Sequence, residues 1–501
     1  MVQLTNSALP DLSLSLASVL QLDPSASVLE YKQQWYSWGD LATTAESVGA
    51  YVGPGHRVGL LLRNHPAQVG LFIGLLRAGA TMVAINPGRG IDRVRADVAS
   101  LNLQFVAGEP KDLEAFVDPS SPAGRFVCAD LGEPIEVQNR PQTSLADGPP
   151  EVAVEMLTSG TTGPSKRVPL TYETFQRVLA GAKYYEGAPP SQVRLRSGVA
   201  IVNAPLVHLG GVFRILQCVA DGRSFSLLEK FRVDEWADAV RRHRPRTASL
   251  VPAALRMVLE ADLDPADLSS LLSVISGTAT LAPEDADAFQ ARFGVPVLVS
   301  YAATEFGGSV AGWNLADHKQ FWTTKRGSVG RAHPGSELRV VDPISGDVVP
   351  ANCEGLLEVK TRLLGDDANW TRTTDQARID EDGFVWLLGR ADQVIIRGGF
   401  KVRPDDVRAA LERDPRVRSA AVVGRDDARL GAVPVAAVEL RMASSSISSA
   451  ELLSELSNTL APYEVPVELL VVAELPRTPS GKVDLAAVRE YFDDVVASED
   501  A

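Results

Sequence analysis

Short apolar runs alternate with helix-length segments along the first half of the chain. The run 56–62 has the length of a buried strand, residues 64–79 have the length and apolar content of a helix, and 81–87 is a second apolar run. Asn64 is the expected helix cap and Gly79 the expected helix stop. Because parallel strands require a crossover connection, this strand–helix–strand unit predicts a parallel sheet.

The same rhythm returns further along the chain. Residues 196–205 and 224–231 predict strands on either side of an apolar helix. Another unit spans 247–261, and further apolar runs follow at 271–277 and 295–302. We therefore expect an α/β fold whose large N-terminal domain contains parallel-type sheets flanked by helices.

After about residue 325 the pattern changes to apolar runs separated by turn signals, which predicts a β-rich subdomain of hairpins. The end of the chain predicts a separate small α+β domain, in which helices alternate with short apolar strands: helices at 403–414 and 449–460, and strands at 419–424, 433–440 and 467–475. The turn 389–392 is the expected boundary, giving an N-terminal domain of residues 1–390 and a C-terminal domain of residues 391–501.

The composition is that of an ordinary globular protein, since 45% of the 501 residues are hydrophobic and 22% are charged. This length predicts more than one domain. The net charge of −14, without a strongly basic block, argues against nucleic acid as the main partner, because phosphate backbones require clustered Lys and Arg. The longest apolar stretch, 69–85, is interrupted by Arg77, so no membrane span is expected.

Three cysteines, Cys128, Cys218 and Cys353, lie far apart and lack the spacing of a metal site. We interpret them as buried thiols in a reducing compartment. The N-terminal segment lacks the basic region and the unbroken apolar core of a signal peptide. The expected location is therefore the cytoplasm, and a homo-oligomer is compatible with these features.

Residues 158–172, TSGTTGPSKRVPLTY, form a loop rich in Ser, Thr and Gly that carries Lys166. A strand precedes the loop and a helix is expected to follow it, an arrangement that gathers backbone amides around phosphate. The kinase-type P-loop pattern fails, because Ser165 stands where its second glycine should be and Arg167 replaces the magnesium-binding Ser or Thr. From these residues alone, the stretch is either a phosphate loop of another kind or a surface loop.

This stretch resembles the signature loop of the adenylate-forming superfamily, which includes acyl-CoA synthetases, carrier-protein-loading adenylation domains and luciferases. Further stretches resemble the family's motifs, in the family's order: PLVHLGG (205–211), ISGTATL (275–281), SYAATEFG (300–307), GSVGRAHPG (327–335), WTRTTD (370–375), GRADQVIIRGGFKVRPDDV (389–407) and PRTPSGKVD (476–484). The resemblance covers about residues 35–490. Because so many motifs recur in order, the chain is identified as a member of this superfamily, of the AMP-forming acyl- or aryl-CoA synthetase type.

The resemblance implies that a carboxylate oxygen attacks the α-phosphate of ATP and that pyrophosphate leaves. Negative charge gathers in this reaction, so the protein must supply cations and aimed N–H or O–H donors. The resemblance assigns phosphate binding to the loop hydroxyls, the loop amides and one lysine: Thr158, Ser159, Gly160, Thr161, Thr162, Gly163 and Lys166.

The resemblance also assigns the nucleoside end of ATP. The ring of Tyr301 would stack on adenine beside the glycine turn formed by Gly277, Thr278 and Ala279. Asp375 would accept hydrogen bonds from both ribose hydroxyls, with Arg390 next to it. Taken singly, each of these residues has an ordinary structural explanation, so the assignment depends on the ordered set.

By the same resemblance, four side chains carry the chemistry. Thr304 would donate to the α-phosphate, and Glu305 would hold Mg²⁺, which bridges the phosphates. Lys482 would bridge the carboxylate and the α-phosphate, and His208 would act as a gate at the acyl site. A non-catalytic nucleotide-binding relative is a distant alternative, and it predicts the loss of Lys482 or Glu305, both of which are present.

The second half-reaction is implied to use coenzyme A. The small domain would rotate about the hinge residue Asp392, remove Lys482 and present Gly398 and Gly399 to the adenylate. A charged residue beside small residues is where such a backbone change is easily accommodated. Within the superfamily the alternative is a stand-alone ligase that passes the acyl group to a carrier protein or an amine.

Several residues depart from the family pattern. Ser165 replaces Pro, Tyr172 replaces His, Thr374 replaces Gly, Ala332 replaces Pro, and Ala302 replaces a glycine that helps to line the acyl pocket, so Ala302 is expected to narrow it. Arg167, which replaces Gly, either contacts phosphate or is a solvent-exposed substitution, and we favour the second.

The substrate is expected to be a monocarboxylic acid with an apolar aliphatic or aromatic body. Amino-acid-activating relatives place an Asp where this chain has Val207 and His208, so an amino acid is disfavoured. The candidate pocket segments 208–213, 276–280 and 302–312 are small and apolar and contain no Lys or Arg to bind a second carboxylate.

Overall fold

The fold was analysed on a computed structural model of the whole chain. The structure describes residues 9–140, 146–157, 166–186, 194–441, 447–478 and 482–499. Strands and helices are numbered in chain order. Among the described residues, no helix is both long and apolar enough to cross a lipid bilayer.

The largest sheet is mostly parallel, with one antiparallel strand at each edge. Its strands, in spatial order, are β7 (Glu136–Gln138), β6 (Gly124–Val127), β5 (Phe105–Gly108), β3 (Arg57–Leu61), β4 (Thr81–Ile85), β8 (Val152–Leu157) and β9 (Arg167–Thr171). The predicted strand–helix–strand unit is present, because β3 and β4 pair in parallel. The intervening helix is buried from Pro66 to Leu76, as its apolar sequence requires.

Two further sheets complete the α/β part of the large domain. The second sheet has the order β10 (Arg196–Val202), β11 (Arg223–Leu227), β1 (Ser27–Tyr31) and β2 (Gln34–Ser37). The third has the order β12 (Thr247–Ser249), β13 (Ser273–Ser276), β14 (Val297–Ala303), β15 (Gly308–Gly312) and β16 (Arg331–Ala332). Strands β12 to β14 are parallel, whereas β15 and β16 are antiparallel additions.

The β-rich subdomain is a fully antiparallel sheet, as the hairpin pattern predicts. Its strands are β17 (Ser336–Val341), β18 (Glu354–Thr361), β19 (Thr371–Ile379) and β20 (Val385–Arg390). The small C-terminal domain has one mixed sheet of β22 (Phe400–Val402), β21 (Ile395–Arg397), β24 (Gly431–Leu440), β23 (Val417–Asp427) and β25 (Glu468–Val472). The predicted fold class, a large α/β domain with a β-rich subdomain and a small α+β domain, is confirmed.

Helices cover the sheets and fill the connections between strands. They are α1 (Asp11–Leu20), α2 (Trp38–Val48), α3 (Pro66–Arg77), α4 (Ile91–Ser100), α5 (Pro110–Phe116), α6 (Tyr172–Glu186), α7 (Leu209–Ala220), α8 (Val233–His243), α9 (Pro252–Glu260), α10 (Pro283–Phe293), α11 (Leu315–Phe321), α12 (Pro404–Glu412), α13 (Ser449–Leu456) and α14 (Leu485–Glu499).

Three local predictions are wrong. The cap of α3 is His65, and Asn64 instead bridges to the second sheet by donating to the carbonyls of Ala204 and Leu228. The expected helix does begin at Tyr172, but residues 167–171 of the stretch interpreted as a loop form β9, which pairs with β8. Cys353 is exposed, because it lies in the turn that precedes β18, whereas the other two cysteines are buried.

Candidate active site

Tyr301 and Asp375 meet where the third sheet faces the β-rich subdomain. The Tyr301 hydroxyl donates to Asp375 Oδ2 at 2.5 Å. Asp375 also receives local support, because its backbone N–H donates to the Thr373 hydroxyl at 3.0 Å. Burial raises the pKa of Asp375, and burial together with the charge of Asp375 raises the pKa of Tyr301. A carboxylate held in this way is a preorganised acceptor for hydroxyl groups.

Arg390 lies directly opposite Asp375 in the ladder between β19 and β20. Its guanidinium forms a two-point pair with Asp392, with Nε–Oδ1 and Nη2–Oδ2 distances of 2.9 and 2.7 Å. Asp392 lies in a single 3₁₀ turn between the β-rich subdomain and the small domain. The arginine next to Asp375 is therefore tied directly to the segment where the two domains join.

Lys482 comes from the far end of the chain, yet it belongs to this site. Burial and the neighbouring Arg390 charge lower the pKa of the Lys482 ammonium, while Asp375 and Glu305 act in the opposite sense. The lysine carbonyl is fixed by the backbone N–H of Thr478 at 2.7 Å. The structure thus brings together a cation from the small domain and two carboxylates from the large domain.

His208 stands at the N-terminal end of α7, close enough to Lys482 for their charges to interact. Burial and the charge of Lys482 lower the pKa of the His208 imidazole to about 4. Among the described residues, His208 Nε2 is a buried nitrogen without a hydrogen-bond partner. An orphaned buried polar atom beside a cation indicates a place for a ligand.

The turn after β13 is strained and tightly packed. A Cβ at Gly277 would lie 2.9 Å from the Ser300 carbonyl oxygen, so this position requires glycine. Thr278 adopts φ +71°, which is unfavourable for a β-branched residue. Ala279 follows as an exposed residue. The predicted glycine turn therefore borders Ser300, the neighbour of Tyr301.

Thr304 and Glu305 form one 3₁₀ turn directly after β14. Phe306 anchors the turn in the core, packing near Tyr301 with a ring-centroid separation of 6.1 Å. Gly307 closes the turn with φ +74°, which suits glycine. Glu305 is consequently exposed toward the space beside Tyr301 and Lys482.

The predicted phosphate-binding residues Thr158, Ser159, Gly160, Thr161, Thr162 and Gly163 lie outside the described residues. Lys166, the first described residue after them, is exposed and directly precedes β9. The expectation that Arg167 is solvent-exposed is wrong. Its guanidinium donates to the Ala84 carbonyl at 2.6 Å and to Asp97 Oδ2 at 2.7 Å, with 15% of the side chain exposed.

Tyr172 and Thr374 are explained by their surroundings. The buried Tyr172 hydroxyl donates to the Ala80 carbonyl at 2.8 Å, which ties α6 to the connection between α3 and β4. Thr374 is exposed on β19, pointing away from the side that carries Asp375. Neither substitution changes the group around Lys482.

Gly398 and Gly399 form the tight turn of the β21–β22 hairpin, with φ of +57° and +90°. Both are exposed, and open space surrounds the Gly399 position. The structure does not bring this pair into the group formed by Tyr301, Asp375 and Lys482.

Guanidinium–carboxylate pairs hold the small domain against the large one. We call the following four contacts the interdomain ion pairs: Arg256–Glu412 at 3.1 Å, Arg418–Glu260 at 3.2 Å, Arg441–Glu260 at 2.5 Å and Arg403–Glu354 at 2.5 Å. The Arg256–Glu412 pair is the least exposed, with 13% and 10% of the two side chains accessible. These contacts fix the orientation in which Lys482 reaches the site.

Sequence reasoning missed the ion pairs and the Arg167–Asp97 contact. Their members are separated by 49 residues or more, as with Arg403 and Glu354 at 49 or Arg256 and Glu412 at 156. The available signal was limited to charge, namely an arginine in the glycine-rich motif and the acidic residue Glu412 at the end of the charged helix α12.

The donor set suits a nucleotide that carries a metal ion. A buried carboxylate, a ring and nearby cations fit a ribose, a base and phosphates. Among the described residues there is no cluster of three or more metal-binding side chains. Mg²⁺ bound through phosphates needs only one or two protein carboxylates, so Glu305 fits this role.

Comparison with protein-family models gives two matches. The model described as AMP-binding enzyme matches residues 17–365. The model described as AMP-binding enzyme C-terminal domain matches residues 406–482, which includes Lys482.

Individual proteins are similar over nearly the whole chain. A 4-coumarate–CoA ligase 2 from Nicotiana tabacum is 27% identical, covering 90% of this chain and 88% of the relative. An indoleacetate–CoA ligase from Aromatoleum aromaticum is 28% identical, covering 94% and 96%. The crystal structure of ATP-bound MatB from Rhodopseudomonas palustris has a TM-score of 0.79 and 24% identity, covering 96% and 99%.

Proposed function

We propose that this chain, which belongs to the family of AMP-binding enzymes, activates a carboxylic acid with ATP and transfers the acyl group to coenzyme A. The observation that carries the proposal is the position of Lys482. This cation of the small domain lies within electrostatic reach of Asp375, Glu305 and His208. A site that must join two anions needs such a cation between them.

In the first step, a carboxylate oxygen forms a bond to the α-phosphorus of ATP and the bond to the pyrophosphate oxygen breaks. Lys482 would neutralise both anions, and Thr304 would donate to the α-phosphate. Asp375 would accept the ribose hydroxyls and the Tyr301 ring would contact adenine, next to Gly277. Mg²⁺ held by Glu305 would offset the phosphate charge.

The loop 158–163 and Lys166 would bind the β- and γ-phosphates. His208 would gate the acyl site, because its neutral imidazole lies beside Lys482. The proposal also keeps the predicted division into domains 1–390 and 391–501, with the hinge at Asp392.

In the second step, the thiol sulfur of coenzyme A attacks the acyl carbonyl carbon, loses its proton to solvent and displaces AMP. Rotation of the small domain about Asp392 would bring Gly398 and Gly399 to the adenylate. Their exposed turn is compatible with a close approach by a slender thiol arm. Coenzyme A as acceptor is supported by the names of the two relatives, which are CoA ligases of 4-coumarate and indoleacetate.

The same names support an acid with an aromatic or other apolar body. We place the enzyme in the cytoplasm, in line with the buried cysteine thiols Cys128 and Cys218.

The proposal is tested by measuring ATP consumption with a panel of aliphatic and aromatic carboxylic acids, each with and without coenzyme A. We expect AMP and a thioester only when coenzyme A is present. Pyrophosphate exchange without any thioester would move the acceptor to a carrier protein or an amine. If no acid supports either reaction and ATP does not bind, the proposed function is wrong.

Arg167→Gly is expected to raise the KM for ATP by about tenfold. The substitution removes two guanidinium hydrogen bonds, and these bonds anchor the C-terminal end of the phosphate loop to β4 and α4. The kcat at saturating ATP should change less, since Arg167 does not contact the reacting atoms. Arg177→Gly is the matched control, because it removes a partly exposed arginine of α6, the helix that follows β9, and this arginine pairs with Glu173 and Asp366. Equal effects of the two substitutions would contradict the anchoring role.

Glu412→Gln is expected to slow adenylate formation by about tenfold while leaving thioester formation from supplied acyl-adenylate less affected. The reason is that Arg256 loses its partner in the small domain, while it keeps Asp285 at 2.6 Å in the large domain. Pyrophosphate exchange at low and high salt measures the effect, which should shrink as salt rises. Glu455→Gln, which breaks an exposed pair inside the small domain, is the control.

A further inference from the structure

Three polar side chains form a connected cluster beside Tyr301. The hydroxyls of Ser300 on β14 and Ser309 on β15 are 2.7 Å apart, and Ser309 Oγ lies 3.0 Å from His333 Nε2. We call Ser300, Ser309 and His333 the serine–histidine cluster. All three residues are intermediate in burial, so each stays partly accessible to solvent.

The cluster borders the proposed active site, on the face of β14 opposite to the side chain of Tyr301. Ser300 precedes Tyr301 in β14, and side chains alternate between the two faces of a strand. The carbonyl of Ser300 abuts Gly277, where a Cβ would approach to 2.9 Å. Ala302 pairs with Ser309 across the ladder and is exposed, although it lies between a buried and a half-buried neighbour. The accessible surface at Ala302 is therefore continuous with the serine–histidine cluster.

The neighbourhood is shaped around the histidine ring. A Cβ at Gly312 would lie 2.8 Å from His333 Cε1, so the absence of a side chain there leaves room for the imidazole. Burial lowers the pKa of His333, which keeps its ring neutral at physiological pH. Arg331, two residues earlier, points elsewhere and stacks over Phe384 at 4.3 Å.

The cluster has the chemistry to bind an uncharged hydroxyl. A serine hydroxyl offers one donor and two acceptor positions, and Ser300 uses its hydroxyl with one partner among the described residues. Three connected neutral polar groups on an otherwise small and apolar wall carry no charge to match a second carboxylate. A hydroxyl group can both accept from and donate to such a cluster.

We propose that the serine–histidine cluster selects acids that carry a hydroxyl group on the apolar body, remote from the carboxylate, with Ser300 as the contacting residue and Ser309 and His333 as positioning residues. This inference rests on the proposed function, because it takes the acyl group to lie along the face of β14 and β15 that carries Ala302.

The test uses non-hydrolysable acyl-sulfamoyl adenosines, whose binding is measured by titration calorimetry without any turnover. Benzoyl and cinnamoyl compounds are compared with their counterparts hydroxylated at the 2-, 3- or 4-position. We expect at least one hydroxylated member to bind the unaltered protein about tenfold more tightly than its parent.

Ser300→Ala and Ser309→Ala should abolish this preference while leaving the affinity for the unsubstituted parents within about twofold. Retained parent binding also shows that the variants are folded. Ser336→Ala is the matched control, because it removes a hydroxyl bonded to Thr361 at 3.0 Å in the neighbouring sheet, and it should keep the preference.

The possible results separate the two proposals. If parent compounds bind but no hydroxylated member is preferred, or if both serine variants keep the preference, the inference is overturned and the adenylation proposal stands. If neither parent nor hydroxylated compounds bind, while ATP also fails to bind, the proposed function itself is wrong and the inference falls with it.

Discussion

Lys482→Ala is expected to reduce the rate of adenylate formation by about 10²–10³-fold, which is the usual effect of removing one preorganised electrostatic group. Lys482 lies among Asp375, Glu305 and His208, where two anions would have to meet. The decisive measurement is acid-dependent pyrophosphate exchange, since this reports the first half-reaction alone.

The second half-reaction provides the internal control for this variant. Thioester formation from supplied acyl-adenylate should change much less, because the small domain would then present a different face. Lys360→Ala removes a partly exposed lysine paired with Glu337 on the β-rich sheet, and it should leave both steps intact. An equal loss in both half-reactions of Lys482→Ala would contradict a lysine that serves only the first.

Asp375→Asn is expected to raise the KM for ATP by about 10- to 150-fold, because a hydrogen bond to a charged acceptor contributes about 1.5–3 kcal/mol and the ribose would lose this acceptor. The measurement is the ATP dependence of pyrophosphate exchange. Asp382→Asn is the control, because Asp382 shares Lys325 with Asp380 on an exposed turn. A KM that stays within about twofold would rule out the ribose assignment.

The same variant should stabilise the ligand-free protein. Burial raises the folded-state pKa of Asp375 above its unfolded value, so the ionised carboxylate opposes folding at neutral pH. The destabilisation by the ionised Asp375 disappears as the pH falls through the raised folded-state pKa and then through the unfolded-state pKa. In Asp375→Asn the neutral amide removes this destabilisation at every pH. Thermal unfolding at neutral pH should therefore show a higher Tm for Asp375→Asn than for the unaltered chain.

The sequence predicted the broad architecture well, because that depends on local patterns. Buried parallel strands such as β3 and β4 are short apolar runs, and the helix between them is continuous and apolar. Strand β9 escaped prediction because its five residues follow a glycine-rich loop and contain Pro169, so its pairing with β8 decides its conformation. Family membership was also predicted correctly, because the motifs occur in order.

The candidate site was only partly accessible from sequence. The resemblance to the family's motifs predicts that Lys482 lies near His208. The spacing of the two residues does not, since they are 274 positions apart in the chain. Arg167 illustrates the limit, because a charged residue in a loop motif gives no sign that Asp97 is its partner. Residue roles at the site stay predictions until the variants are measured.

The interdomain ion pairs have a kinetic consequence. They make the lysine-inserted arrangement the resting state, so ATP and the acid would meet an assembled site with no preceding rearrangement. The slow step would then be the separation of the domains after pyrophosphate departs. In that step the arginines of the interdomain ion pairs must exchange their carboxylate partners for water. Such an enzyme would release one equivalent of pyrophosphate rapidly and then cycle at the pace of domain release, faster in salt.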